Sequence, residues 1–191
     1  MKRLSMFLTV FAILLMISGC NKDDIFTQSD NSLELKKAMV PIPSKAELCA
    51  VPDMESELIL KPLPGLDPLD PSSYVTSRMI ISGNASGMGK IDPAMSYYDI
   101  EVFELIFEND IPFLYQTGMG ILVGANGDSY SYTWWAKASI PTLEYVGGST
   151  IVSGTGRFEG ASGTSDMVGM FDEVSLQNCW TLQGYIEFGR E

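Results

Sequence analysis

The chain has 191 residues, with 12 basic side chains, 24 acidic side chains and no histidine, so its formal net charge is −12. This length suits one domain with a tail. The acidic balance argues against binding to a phosphate backbone, which requires clustered lysine and arginine. The lack of histidine excludes a serine–histidine–aspartate triad and any histidine-based zinc or iron site.

Residues 1–19 have the pattern of a secretory signal peptide. Lys2 and Arg3 precede the apolar run MFLTVFAILLMI, which is shorter than the roughly 20 residues needed to span a bilayer. The sequence ISGC, which ends at Cys20, is similar to a bacterial lipobox, in which the peptidase cuts before the cysteine and the thiol receives the lipid. Two or three acyl chains there would anchor the protein stably. The alternative is an ordinary secretory signal with an incidental cysteine.

The acidic stretch NKDD directly after Cys20 resembles the surface-export signal of lipoproteins in one phylum of Gram-negative bacteria. The resemblance implies display at the cell surface on the outer membrane. The periplasmic face of that membrane is the alternative, with NKDD as a solvated tether. Cleavage before Cys20 would leave 10 basic and 24 acidic side chains, a net charge of −14, which favours solubility and cationic partners.

The next segment is rich in proline. Seven of the ten prolines lie between Pro41 and Pro71, whereas 16 of the 18 glycines lie from Gly83 onward. Proline fixes φ and lacks a donor, so the segment indicates an extended connector rather than a helix or a central strand. The change in composition predicts a signal peptide over 1–19, a lipid-anchored tether and proline-rich linker over 20–71, and a β-domain over 72–191.

Two cysteines remain once Cys20 is lipidated, namely Cys49 and Cys179. An even number in an oxidising compartment permits one disulfide. It would join the proline-rich segment to the last predicted strand. Two separately buried thiols are the alternative.

The residues after 72 show the period-two alternation of half-buried strands. One face of DSYSYTWWAKAS carries Tyr130, Tyr132 and Trp134, and one face of WTLQGYIEF carries Trp180 and Leu182. The dipeptide Asn126-Gly127 before the first of these predicts a hairpin with a type I′ turn.

The segment YYDIEVFELIFEND fits two patterns. Glu101, Glu104 and Glu108 have the spacing of a helix face, but the β-branched and aromatic content favours a strand with a bulge near Val102-Phe103. Seven or eight short strands with glycine turns then predict an all-β fold. We expect a small closed antiparallel barrel of about eight strands, since closure removes exposed edges.

The glycine-rich stretch SGTGRFEGASGTS, residues 153–165, invites a comparison with phosphate-binding loops. A dinucleotide-binding loop needs a strand before it and a helix after it, and no apolar helical stripe follows Gly160. The stretch instead indicates a strand, a tight bend and a short strand with Phe158 pointing inward. No cofactor and no metal are expected.

Three short motifs occur in order: GNASGMGK at 83–90, GANGD at 124–128 and GTGRFEGASG at 154–163. Together they resemble the signature of bacterial calycin-like β-barrel proteins, the group with allene-oxide-cyclase-barrel-like architecture. The resemblance covers roughly residues 72–191 and implies a fold rather than a reaction. Such proteins often have a histidine where this chain has Gly87, so an activity that depends on that histidine is not implied.

The aromatic residues carry the remaining functional signal. Tyr130, Tyr132, Trp134 and Trp180 could line one interior and bind a ligand. The alternative is that they fill the core, because an eight-stranded barrel is only just wide enough for side chains. Trp135 is out of phase with its neighbours and should face outward as a contact for a partner or a sugar. The alternative is that Trp135 packs beneath the proline-rich segment.

The sequence therefore predicts a non-enzymatic lipoprotein of the cell envelope that binds a small apolar molecule, a glycan or an envelope protein, and no nucleic acid. The first alternative is a structural or interaction lipoprotein with a filled core. The second is a carboxylate-dependent hydrolase or isomerase, for which Asp99, Glu101 and Glu104 are the richest acidic cluster. We interpret that cluster as a solvated face.

Overall fold

A computed structural model describes residues 41–188, which are mostly β-structure. Within this range no helix is long and apolar enough to cross a bilayer. Two single turns of 3-10 helix interrupt the strands, at Pro71–Ser73 and Gly156–Phe158. The strands are β1 (Ile42–Pro52), β2 (Leu58–Leu60), β3 (Tyr74–Thr76), β4 (Arg78–Ala85), β5 (Gly89–Lys90), β6 (Tyr97–Glu108), β7 (Ile111–Val123), β8 (Ser129–Ser139), β9 (Glu144–Thr155), β10 (Ser162–Asp172) and β11 (Gln177–Glu187).

Eight of these strands close into an antiparallel barrel. Their order around the ring is β1-β11-β10-β9-β8-β7-β6-β4, and β1 pairs back with β4. At this closing strand Leu48 lies opposite Trp180 on one side and Gly83 on the other. β5 only extends the β4 hairpin, and β2 pairs with β3 in a two-stranded sheet. The predicted all-β barrel of about eight strands is confirmed.

The predicted domain boundary near residue 72 is wrong, because β1 lies inside the segment interpreted as a linker. β1 is a central strand between β11 and β4. Pro43 and Pro52 stand near its ends, where a missing N–H disturbs the ladder least. Between them the strand buries Ala46, Leu48 and Ala50 at alternate positions. The barrel therefore begins at residue 42, and the predictions for residues 1–40, including lipidation of Cys20, lie outside the described residues.

The predicted bulge in β6 is confirmed. The segment is one strand, and its register against β7 shifts between Ile100 and Val102. Ile100 pairs with Gly118, which faces inward, and beyond the bulge Phe103 pairs with Gln116. The shift brings Phe103 onto the inward face.

The hairpin predicted between β7 and β8 is present, but the prediction of a type I′ turn is wrong. Gly127 has a φ of 89°, whereas Asn126 is not among the non-glycine residues with positive φ. The Asn126 side chain instead accepts a hydrogen bond of 3.2 Å from the N–H of Asp128, as in an Asx turn. The turn between β6 and β7 has the type I′ pattern, with φ values of 51° at Asn109 and 64° at Asp110.

Inward-facing glycines make room for the large rings of the neighbouring strand. Gly118 lies opposite Trp134, and Gly120 lies opposite Tyr132. A Cβ atom on Gly120 would lie 2.5 Å from the Tyr132 ring, a separation that atoms cannot adopt. The barrel is therefore narrow, and its aromatic interior depends on glycine across the strand pair.

Phe158 closes one end of the barrel. Its side chain is fully buried, with ring centroids 5.3 Å from Tyr130 and 5.4 Å from Phe188. The bend that places it uses positive φ at Gly156 (59°) and Gly160 (65°). The interpretation of the glycine-rich stretch as backbone geometry with Phe158 inward is confirmed, although a 3-10 turn replaces the expected short strand after the bend.

A disulfide joins Cys49 of β1 to Cys179 of β11, residues that lie directly opposite in the strand pair. Their neighbours Leu48 and Trp180 face inward, so the disulfide lies on the outer surface. It links the first strand of the barrel to the last, across 130 residues of sequence.

Candidate functional site

The four aromatic residues predicted to line the interior do face inward, but they form the core. Tyr130, Tyr132, Trp134 and Trp180 are 8%, 6%, 8% and 7% exposed. The Tyr98 ring packs edge-on against Trp134 at 4.9 Å and against Trp180 at 5.9 Å. At this depth the barrel has a filled core, as the alternative interpretation of these residues predicted. The four ring faces are covered by other side chains.

At the end of the barrel opposite Phe158, the inward-facing side chains are only half-buried. Direct cross-strand pairing places Leu105, Leu114 and Ala138 in one row with Tyr145, which is buried inside the barrel. At the end closed by Phe158, by contrast, Ile91 and Leu122 are each 1% exposed. We call the partly exposed end the open end, and its half-buried apolar side chains are Phe103, Leu105, Leu114 and Phe171.

Polar groups lie beneath this apolar rim. Asn178 is opposite Phe171 in the β10–β11 pair, and its Nδ2 donates a hydrogen bond of 3.0 Å to the Tyr98 hydroxyl. Two buried polar atoms, Asn178 Oδ1 and Trp134 Nε1, have no hydrogen-bond partner among the described residues. A buried polar atom without a partner costs about 1–3 kcal/mol, so these two atoms favour a ligand or water that supplies one acceptor and one donor.

The interior is electrically neutral. Among residues 41–188 no charged side chain is buried; besides the buried tyrosines and tryptophans, the buried polar residues are Ser73, Thr76 and Ser96. Burial raises the pKa of Tyr98 to about 12, which outweighs the opposing hydrogen bond from Asn178. Burial also raises the pKa of Tyr132 well above its usual value. The hydroxyls therefore stay protonated at neutral pH, and a charged ligand would find no counter-ion inside.

Trp135 lies on the outer surface, as predicted. It is 44% exposed. In β8 it lies opposite Thr117 of β7 and Gly148 of β9. A Cβ on Gly148 would lie 2.9 Å from the indole nitrogen, so the ring extends over that glycine. The alternative in which Trp135 packs beneath the proline-rich segment is wrong, because the first part of that segment is β1 and the Trp135 ring remains exposed.

The acidic residues of β6 do not converge in a cleft. Asp99 accepts hydrogen bonds of 2.7 and 3.0 Å from the Arg78 guanidinium, and this contact raises the pKa of Arg78. Glu101 and Glu104 are exposed. Over the described range, no three acidic or cysteine side chains are arranged to hold a metal ion. The geometry gives no support to a paired-carboxylate mechanism in this cluster.

A groove of about 490 Å³ lies on the barrel wall near Pro41. Its lining includes Thr150, Thr164 and Tyr185, which occupy one outward row of the sheet. Neither of the unpartnered buried atoms belongs to this lining. The open end is therefore the better candidate site.

Sequence reasoning missed Tyr98, Tyr145 and Asn178, because cross-strand register brings them together. The sequence held one signal of the narrow interior. In TGMG of β7 every second residue is glycine, and in YTW of β8 every second residue is a large ring. Such a match indicates rings packed over glycines, and hence a narrow filled barrel.

Comparisons with known proteins give little further information. No family model matches the chain, and no curated protein matches it. Among solved structures it is similar to the pterocarpan synthase dirigent protein GePTS1, with 12% sequence identity and a TM-score of 0.41 over 80% of this chain and 87% of that one. A likeness at this level says nothing about what the chain binds, and the barrel architecture rests on the strand pairing itself.

Proposed function

We propose that this chain is a non-enzymatic, lipid-anchored barrel that binds a small, uncharged and mostly apolar molecule at its open end. The ligand would place a hydroxyl or amide head near Trp134 and Asn178, and its apolar body among Phe103, Leu105 and Phe171. The observation that carries the proposal is the pair of unpartnered buried atoms, Trp134 Nε1 and Asn178 Oδ1.

Three properties support this ligand class. The donor and the acceptor match a head group that accepts one hydrogen bond and donates another. Most of the side chains above them are apolar and half-exposed, although Gln116 faces inward beside Phe103. A ligand body would therefore bury apolar surface there. The lack of a buried charge over residues 41–188 disfavours an ionised ligand.

A matched pair of probes tests the proposal. We expect 4-propylphenol to bind the unlipidated protein, residues 21–191, about tenfold more tightly than propylbenzene, because one net hydrogen bond contributes about 1 kcal/mol or slightly more. Asn178→Leu and Trp134→Phe should each remove most of this preference while leaving propylbenzene binding in place. Isothermal titration calorimetry measures both affinities.

Trp135→Phe is the matched control, since Trp135 follows Trp134 in sequence but faces outward. It should leave both affinities unchanged. Equal binding of the two probes, or a hydroxyl preference that survives both inward substitutions, would contradict the proposal. Binding that is lost only in Trp135→Phe would instead favour the outer surface as the contact for a glycan or an envelope partner.

The lipid anchor and the outer-membrane location belong to the same proposal and are supported by the ISGC sequence and the acidic NKDD. We expect the wild type, but not Cys20→Ala, to incorporate labelled palmitate in a Gram-negative host, because the thiol of Cys20 is the proposed site of acylation. Metabolic labelling measures this, and equal labelling of the two proteins, or no labelling of the wild type, would count against the anchor. Protease treatment of intact cells distinguishes surface display from the periplasmic face.

A further inference from the structure

β6 has a strand partner along its whole length on one side only. On the other side β4 pairs with residues 97–99, and Ile100 donates its N–H to the Ser77 carbonyl oxygen at 2.8 Å. From Glu101 to Glu108, no other strand of residues 41–188 adjoins that side, whereas β7 continues to pair with the opposite one. Proteins usually shield such an edge with charged side chains, proline, a β-bulge or a covering segment. This edge follows a bulge and carries three glutamates, but it has no proline. We call residues 101–108 the β6 edge.

The backbone groups of the β6 edge are oriented to receive a strand. In one strand, residues on the same face direct their N–H and C=O groups to the same side. Ile100 faces inward and directs its N–H toward β4. Beyond the bulge the inward positions point their backbone groups to that same, now open, side; they are Phe103, Leu105 and Phe107.

Side chains at the β6 edge favour a particular occupant. Its charged residues are Glu101, Glu104 and Glu108, all exposed. Glu108 forms an ion pair of 2.7 Å with Lys137, and the other two make no ion pair with any residue in the described range. A second copy paired antiparallel would set glutamates opposite or beside glutamates, which destabilises a strand pair. A strand that carries lysine or arginine would be favoured.

We propose that the β6 edge binds an extended, basic segment of a partner protein as an added β-strand. On the outer face, lysine or arginine of that segment would lie beside Glu104. On the inner face, apolar side chains would lie beside Phe103 and Leu105. The segment therefore alternates basic and apolar residues. This interaction surface is distinct from the polar ligand contacts at Trp134 and Asn178, but it shares Phe103 and Leu105 with the open end.

A nine-residue peptide of alternating lysine and valine is the probe. It should bind the unlipidated protein, and the combined change Glu101→Gln with Glu104→Gln should weaken binding about tenfold, because each opposite-charge cross-strand pair contributes up to about fivefold. The matched control is Glu159→Gln with Glu173→Gln, two exposed acids on other parts of the barrel, which should bind like the wild type. Fluorescence anisotropy of labelled peptide gives the affinities.

Two further measurements separate strand addition from simple charge attraction. The same peptide with alternate backbone nitrogens methylated keeps its charge but cannot pair along that edge, so it should lose binding. Amide signals in ¹H–¹⁵N spectra should shift mainly over residues 101–108. Equal weakening by the control substitutions, or unchanged binding of the methylated peptide, would overturn the proposal. So would sedimentation showing a dimer of the peptide-free protein that Leu105→Pro disrupts, since this change removes an N–H from the β6 edge.

Discussion

Replacing Phe158 with alanine is expected to lower the free energy of unfolding by about 3–5 kcal/mol, the usual cost of removing a fully buried phenylalanine ring. The side chain is 0% exposed and packs against Tyr130 and Phe188. Urea denaturation followed by far-ultraviolet circular dichroism measures the change.

Glu159→Ala is the control for Phe158→Ala. Glu159 is adjacent in sequence and exposed, so its loss should change the free energy of unfolding by no more than about 0.5 kcal/mol. A loss below about 1 kcal/mol in Phe158→Ala would show that the ring does not close this end of the barrel.

Removing the disulfide is expected to lower the free energy of unfolding by as much as Phe158→Ala does, or by more. With Cys49→Ala and Cys179→Ala combined, the protein should lose about 5 kcal/mol, because the bond closes a loop of 130 residues in the unfolded chain. The strand pairs on both sides of β1 remain in the native state, so the fold should persist with lower stability. Equilibrium urea denaturation of the oxidised wild type and the variant gives the difference.

Ser82→Ala is the matched control for the disulfide. Ser82 lies opposite Cys49 on the β4 side of the same strand, and the substitution should leave the free energy of unfolding within about 0.5 kcal/mol of the wild type. If the variant without the disulfide kept its stability within about 1 kcal/mol, the link between the first and last strands would not stabilise the barrel.

Local alternation allowed much of the barrel to be predicted. Strands β8 and β11 follow a period of two without interruption, so the inward positions of Tyr132, Trp134 and Trp180 were correct. β1 was not predicted, because the seven prolines between Pro41 and Pro71 as a whole argue against a central strand. Pro43 and Pro52 stand near the ends of that strand, and the alternation between them was the stronger signal.

The candidate site was harder to predict, because it depends on register between distant strands. Asn178 donates a hydrogen bond to Tyr98, a residue 80 positions earlier in the sequence. Phe103 and Leu105 face inward only because the bulge reverses the phase of β6. Neither relation is visible in a single stretch of sequence, whereas the outward position of Trp135 follows from its own strand alone.

The most direct test of a ligand at the open end is the response of the indole N–H signals, of which the chain has three, during titration with 4-propylphenol. Single substitutions to phenylalanine assign them to Trp134, Trp135 and Trp180. The account predicts that the Trp134 signal shifts and saturates with the probe while the Trp135 signal stays in place. A Trp134 signal that does not move at saturating probe, or a shift confined to Trp135, would contradict it.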